Sequence, residues 1–370
     1  MMANSLVQTH RPRQRQAGLS LIEMMVSLTL GLMILSGVLV VFANSSAARS
    51  EVERTSRQIE NGRYASDLLS DDIRLAGFYG EYNIALLTAP GALPADPCAL
   101  TVADWTSAIP VPLQGYDENG FASANCSLTN RKANTDVLVI RRTRACTDGV
   151  GGCTAAGLPF FQVSLCETEV ATPYKLDVST AAFSLHKKNC TTTADKREYY
   201  VHIYFISTDN GAGQAIPTLK RLEMTSDLTK CQAAPPAGVN VCWTEVPLVE
   251  GIEEFQLQYG LDTNGDGNPD ALDSDGDGTA DGVYIANPNT YPTAAPTPVA
   301  SWMSVVTIRF NILARNLDAS PNYTDTKSYS LGINAAGAEI TVGPRNDGYR
   351  RHVYSGLVRV ANVAGRRDTP

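Results

Sequence analysis

Two hydrophobic regimes follow one another along the first 77 residues. From Leu19 to Ala43 the chain reads LSLIEMMVSLTLGLMILSGVLVVFA, with Glu23 as the only charge. Met24 to Ala43 is a run of 20 uncharged residues. As a helix it would be about 30 Å long, the thickness of one hydrocarbon core. After Ala43 the pattern turns amphipathic. Val52, Ile59, Leu69 and Ile73, joined by Ala48, Ala65, Leu68 and Ala76, fall on one helical face, and charges fill the other. Gly77 is the expected stop. The spacing predicts one helix over about 20–76, apolar all round in residues 19–43 and amphipathic over 44–77.

From residue 78 onward short apolar runs alternate with Gly- and Pro-rich loops. Strands are predicted at Val137–Arg142, Phe160–Cys166, Tyr199–Ser207, Leu219–Met224, Ile252–Tyr259, Val305–Leu313 and Val353–Val360. Phe255, Leu257 and Tyr259 alternate, as do Val306, Ile308, Phe310 and Ile312, so each set lines one face of a strand. The long connections at 80–135 and 261–300 read as insertions. The expected class is α+β: a long N-terminal helix packed on an antiparallel β-sheet head over 78–370.

Charge adds direction. The first 18 residues carry Arg11, Arg13 and Arg15 and no acid. A positive flank stays cytoplasmic, so the body is expected to cross the membrane. Without that leader, 27 basic residues face 38 acidic ones, a net charge of −11. A body of this sign binds nucleic acid poorly through bulk electrostatics. Arg141, Arg142 and Arg144 nevertheless lie close together.

Eight cysteines, Cys98, Cys126, Cys146, Cys153, Cys166, Cys190, Cys231 and Cys242, all follow the apolar run. In an exported body they are expected to form disulfides. Paired zinc-type spacings are absent. Short loops favour Cys146 with Cys153 and Cys231 with Cys242; the remaining connectivity is open.

An ordinary secretory signal cleaved near Ala43-Asn44-Ser45 is one alternative for the N-terminus, and a plain membrane anchor is another. The apolar run is longer than a signal core. A carboxylate inside it is also costly, about 2.5–3.5 kcal/mol at a membrane centre and less near the interface, and so marks a function.

Gly18-Leu19-Ser20-Leu21-Ile22-Glu23 resembles the signature of prepilins, the precursors of type IV pilins and type II secretion pseudopilins. The resemblance implies that prepilin peptidase cuts Gly18–Leu19 and methylates the new amino terminus at Leu19. Leu19 stands where Phe is usual. Glu23 would then pair with the Leu19 ammonium of a neighbouring subunit, neutralising both charges in an apolar filament core.

LSLIEMMVSLTLG at the start, SRQIENGRYASDLLSDDIRLAGFYG in the helix, VEGIEEFQLQYGLDTNGDG in the strand region and YRRHVYSGLVRVAN near the end resemble the PilW type of minor pilin. That type is related to the J-type pseudopilin of type II secretion. The resemblance implies a pilin-like lollipop. It also implies a low-abundance subunit that joins other minor pilins, primes polymerisation at the inner membrane, and stays with the major pilin at the filament tip, often with an adhesin. The head would be periplasmic before assembly and at the cell surface after it.

Residues 262–281 read DTNGDGNPDALDSDGDGTAD, two copies of D-x-[DN]-x-D-G-x-x-D. Asp262, Asn264, Asp266, Asn268, Asp270 and Asp273 form the first loop. Asp273, Asp275, Asp277, Thr279 and Asp281 form the second, with Asp273 shared. Oxygen donors at odd positions around a turn-forming Gly suit Ca²⁺. The second copy has Tyr284 where a closing carboxylate would stand and should bind more weakly. A solvated acidic loop is the plain alternative.

No catalytic constellation is apparent. The histidines are His10, His186, His202 and His352, and no H-E-x-x-H, G-x-S-x-G or P-loop occurs. His202 reads as a structural residue in a strand. A structural subunit, a type II secretion pseudopilin and a calcium-dependent adhesive module at the tip are the readings carried forward; an enzyme is not expected.

Overall fold

The computed structural model describes residues 18, 20–118, 120–150, 157–273, 280, 282–291 and 298–365. The chain divides into two compact units, 1–53 and 54–370. Helix α1 (Leu21–Leu75) contributes to both.

In the first unit α1 carries its apolar side chains outward, from Leu21 to Phe42. Its most apolar window has a mean hydropathy of 2.4 and no buried residue. The few hydroxyls there are satisfied within the helix. Ser27 donates to Met24 O at 3.0 Å, Thr29 to Val26 O at 2.9 Å, and Ser36 to Met33 O at 2.8 Å. The segment therefore presents almost no unsatisfied polar group to an apolar surrounding.

In the second unit one stripe of α1 is buried: Gln58, Gly62, Ala65, Leu69, Asp72 and Ile73. Ala65, Leu69, Ile73 and Ala76 follow the predicted face. Ile59 does not; it is 47% exposed, and Val52, in the first unit, is 66% exposed. Apolar character alone misplaced the upper stripe, because the sheet takes polar and small residues there. The Gln58 amide donates to Ala314 O at 2.8 Å and Arg350 O at 3.0 Å. Gly62 admits the Tyr354 ring, which a Cβ at that position would meet at 2.2 Å. The helix ends as expected: Gly77 takes φ 70° and donates its N–H to Arg141 O at 3.0 Å, turning the chain onto the sheet.

The strands are β1 (Leu113–Tyr116), β2 (Val137–Thr143), β3 (Phe160–Val163), β4 (Tyr174–Asp177), β5 (Lys196–Ser207), β6 (Thr218–Thr225), β7 (Cys242–Glu250), β8 (Ile252–Leu261), β9 (Val305–Arg315), β10 (Tyr329–Ile333), β11 (Glu339–Val342) and β12 (Arg351–Arg359). All named pairings are antiparallel. Strands β1 to β7 form one sheet, in which β5 pairs β2, β3 and β6, and β7 pairs β6. A second sheet runs β12-β9-β8, and β10-β11 make a two-stranded ribbon. The α+β class expected from the sequence is the one observed.

The alternation in β8 holds. Phe255, Leu257 and Tyr259 join the main core with Ile308, Phe310 and Ile312. The opposite face of this sheet is also covered. There Leu313 packs with Tyr329 and Leu331 of the ribbon, and the Asn311 amide donates to Leu331 O at 2.8 Å. Short helices α2 (Val102–Ala108), α3 (Pro298–Met303) and α4 (Ala361–Ala364) complete the fold. The expected insertion at 80–135 contributes α2 and β1, so part of it belongs to the sheet.

Candidate functional site

The helix begins with a reciprocal cap. Ser20 stands just before the first helical residue, and Glu23 three residues later. The Ser20 N–H donates to Glu23 Oε2 at 3.0 Å, and the Glu23 N–H donates to Ser20 Oγ at 3.3 Å. Ser-Leu-Ile-Glu is thus a capping box. The carboxylate also lies at the positive end of the helix dipole, where a negative charge is stabilised. Gly18 is exposed, whereas Leu19 lies outside the described residues. The scissile bond inferred from the sequence therefore sits immediately before a well-defined helix start.

In the Asp-rich loop Asp262, Asn264, Asp266, Asn268, Asp270 and Asp273 are described; Asp275, Asp277, Thr279 and Asp281 lie outside the described residues. Asp262 is buried. Its Oδ1 accepts from Gly265 N at 2.6 Å and its Oδ2 from Gly267 N at 3.0 Å. Asp270 Oδ2 accepts from Thr263 N at 2.6 Å and Asn264 N at 3.1 Å. Burial acts to raise the Asp270 pKa, but the Thr263 hydroxyl together with these two amides prevails and holds it below the ordinary carboxylate range. Gly265 and Gly267 take φ 85° and 81°, which only glycine adopts without strain. The loop is a tight turn closed on the Asp262 and Asp270 carboxylates. Backbone amides, the Thr263 hydroxyl and the Asn264 side-chain amide satisfy them, and among the described residues no three His, Cys, Asp or Glu side chains converge.

A third cluster had no sequence motif. Asp72 of α1 is buried against the large sheet. Its Oδ1 accepts from Arg142 Nε at 2.6 Å, and its Oδ2 lies 2.6 Å from His202 Nδ1 and 2.7 Å from the Tyr204 hydroxyl. Burial pushes the carboxyl up, but the facing His202, its hydrogen bond, Arg142 and Tyr204 outweigh burial and hold it well below the ordinary range. His202 is buried and engaged, as expected of a structural residue. The only advance signal for Asp72 was an acid on the buried side of an amphipathic stripe. Arg141, adjacent to Arg142, points the other way: it is buried and donates to Val111 O at 2.9 Å and Gln114 Oε1 at 3.0 Å.

The cysteines are paired as Cys98–Cys126, Cys166–Cys190 and Cys231–Cys242. The last is the pairing that its short loop favours. Cys146 is also disulfide-bonded, and Cys153 lies outside the described residues.

Residues 203–362 match the family model of the Type IV Pilus-assembly protein W, from β5 through α4. Residues 13–39 match the prokaryotic N-terminal methylation motif, which brackets Gly18, Leu19 and Glu23. No curated protein and no solved structure matches the chain.

Proposed function

The chain is a type IV pilin-like minor pilin of the PilW type, and from this we propose that it helps prime assembly of a type IV pilus and sits at or near the pilus tip as a structural subunit. The observation that carries the proposal is the start of the molecule. A methylation motif adjoins a capped helix whose apolar side chains are turned outward from Leu21 to Phe42. Such a helix suits a membrane before assembly and a bundle of like helices after it. Glu23 caps its own helix in the single chain. In a filament it would accept the Leu19 ammonium of a neighbour, because an unpaired carboxylate in an apolar bundle is costly. The partners are then other minor pilins and the major pilin, with prepilin peptidase acting first. The head is proposed to be periplasmic before assembly and at the surface after it.

Deletion of the protein, with complementation by the native chain or by Glu23→Val, tests this reading. Surface pili should vanish on deletion, return with the native chain, and fail to return with Glu23→Val. Intact pili with loss of exoprotein release would instead select the type II pseudopilin reading.

The spacing of Asp262, Asn264, Asp266 and Asp270, on a turn already shaped by Gly265 and Gly267, supports a second proposal. This loop takes up Ca²⁺ by exchanging amide contacts of its carboxylates for the cation, with Kd in the range of about 10⁻⁴–10⁻³ M. Calorimetric titration of the full chain in detergent should show one saturable Ca²⁺ site that Asp262→Ala removes. Absence of heat at millimolar Ca²⁺ would contradict it.

A further inference from the structure

The large sheet carries a cavity of about 500 Å³ whose lining includes Arg142, Arg144, Tyr200, His202, Arg221 and Glu223. The register explains why they meet. Tyr200, His202 and Tyr204 alternate onto one face of β5. Arg142 lies opposite Tyr200 on β2, and Glu223 and Arg221 lie opposite His202 and Tyr204 on β6.

The charges are sorted by depth. Two of the balancing acids are buried behind the arginines: Asp72, bonded to Arg142 Nε at 2.6 Å, and Glu198, bonded to Arg144 Nη1 at 3.2 Å. Glu198 is 2% exposed, whereas Arg144 is 37% exposed. Arg221 bonds Glu223 through Nε at 2.8 Å. The cavity wall therefore shows three guanidinium groups against one carboxylate, on a molecule that is acidic as a whole. His202 adds a fourth group. Its side chain is 8% exposed, and its ring packs against Tyr200 at 5.7 Å and Tyr204 at 6.2 Å. Nδ1 is held by Asp72, which leaves Nε2 as the ring nitrogen for the cavity. Arg142 is steadied over the Tyr200 ring at 5.6 Å.

We propose that this cavity binds an oxyanion of carboxylate or phosphate type, gripped by Arg142, Arg144 and Arg221 and capped by His202. Guanidinium forks suit the planar oxygens of such a group, and their fixation by buried acids removes much of the ordering cost. The ligand is either a free anion or an acidic side chain of a neighbouring chain. The site is independent of the pilin reading, since it lies wholly within residues 54–370.

The test is a titration of the full-length protein in detergent micelles, ¹⁵N-labelled at histidine, at constant ionic strength. Inorganic phosphate is one probe and a short acetylated poly-glutamate peptide the other. The expected result is a saturable shift of the His202 Nε2 signal with no matching change at His186 or His352. Arg144→Ala and Arg221→Lys should each weaken binding about tenfold or more, a loss of about 1.4 kcal/mol, with the fold retained. Tighter binding of phosphate identifies a free oxyanion, and tighter binding of the peptide identifies a neighbour's carboxylate; either supports the site. A shift that does not saturate, that is equal at His352, or that survives both folded variants would overturn it.

Discussion

At the scale of single residues, buried carboxylates divide into two kinds. Asp72 faces cations and donors, and its pKa is depressed. A depressed carboxylate contributes stability that is present above its unfolded pKa of about 4 and is lost as pH falls below that. Asp72→Ala should destabilise the head by about 3–5 kcal/mol at neutral pH, because it strands Arg142 and His202 beside each other in the interior. Chemical denaturation at pH 7 measures this; a loss under 1 kcal/mol, on the scale of an exposed pair, would contradict it. Asp136 is the opposite case. It accepts from Leu257 N at 2.7 Å and Glu118 N at 3.1 Å. Burial, with Asp117 adding to it and the two amides opposing, pushes its pKa up to about 8. Its folded form holds a proton that the unfolded form releases near pH 4, so its share of stability is lost as pH rises from about 4 through about 8. Asp136→Asn should flatten the decline of Tm between pH 5 and 8, whatever it does to the midpoint at pH 5. An unchanged pH profile would refute the assignment.

At the scale of elements, the helix meets the sheet through small residues. Gly62 lets the Tyr354 ring against α1, and within the sheet Gly356 leaves room for the ring of its cross-strand partner Phe310; an added Cβ would fall 2.2 Å from either ring. Two effects compete in Gly62→Ala. Helix propensity favours Ala by about 1 kcal/mol, and overpacking costs about 1–3 kcal/mol. Overpacking should prevail, lowering Tm, while Gly62→Ala with Tyr354→Ala should lose less than the two single changes summed. Strict additivity would rule out the contact. These contacts also mark where the sequence was legible. The seven strands expected from short apolar runs are all present: β2, β5, β8 and β9 are buried at nearly every position, and β6 alternates. β7 was missed since CWTEVPLVE contains Pro247 and charges. Its pairing with β6 is irregular at Leu219/Lys220, and among the described residues β7 pairs no other strand, a place where proline is tolerated. β10 and β11 were missed although Tyr329, Leu331 and Ile333 alternate, because runs of five and four residues are too short to stand out from a loop. The Gln58, Gly62 and Asp72 stripe was hidden because its polar members are satisfied by groups 70 to 292 positions away.

At the scale of the molecule, one helix presents an outward-facing apolar surface from Leu21 to Phe42 and contributes to the core of the head beyond residue 54. The head combines this helix stripe, antiparallel sheets and disulfides. Cys98–Cys126, Cys166–Cys190 and Cys231–Cys242 span 28, 24 and 11 positions. Each closure removes unfolded-state freedom equivalent to about 3 kcal/mol in the chain-entropy account. Full reduction should therefore unfold the head well below its oxidised Tm, and equal melting of the two forms would contradict that role. The Asp-rich loop and the arginine-lined cavity are additions to this frame; neither bears on how the chain is processed for a filament. That depends on the bond before the Ser20–Glu23 cap. The most direct measurement is mass spectrometry of the N-terminal peptide from cells with and without prepilin peptidase. The account predicts a peptide beginning at N-methylated Leu19 that appears only when the peptidase is present. A peptide beginning near Ser46, or an uncut chain in both strains, would contradict it.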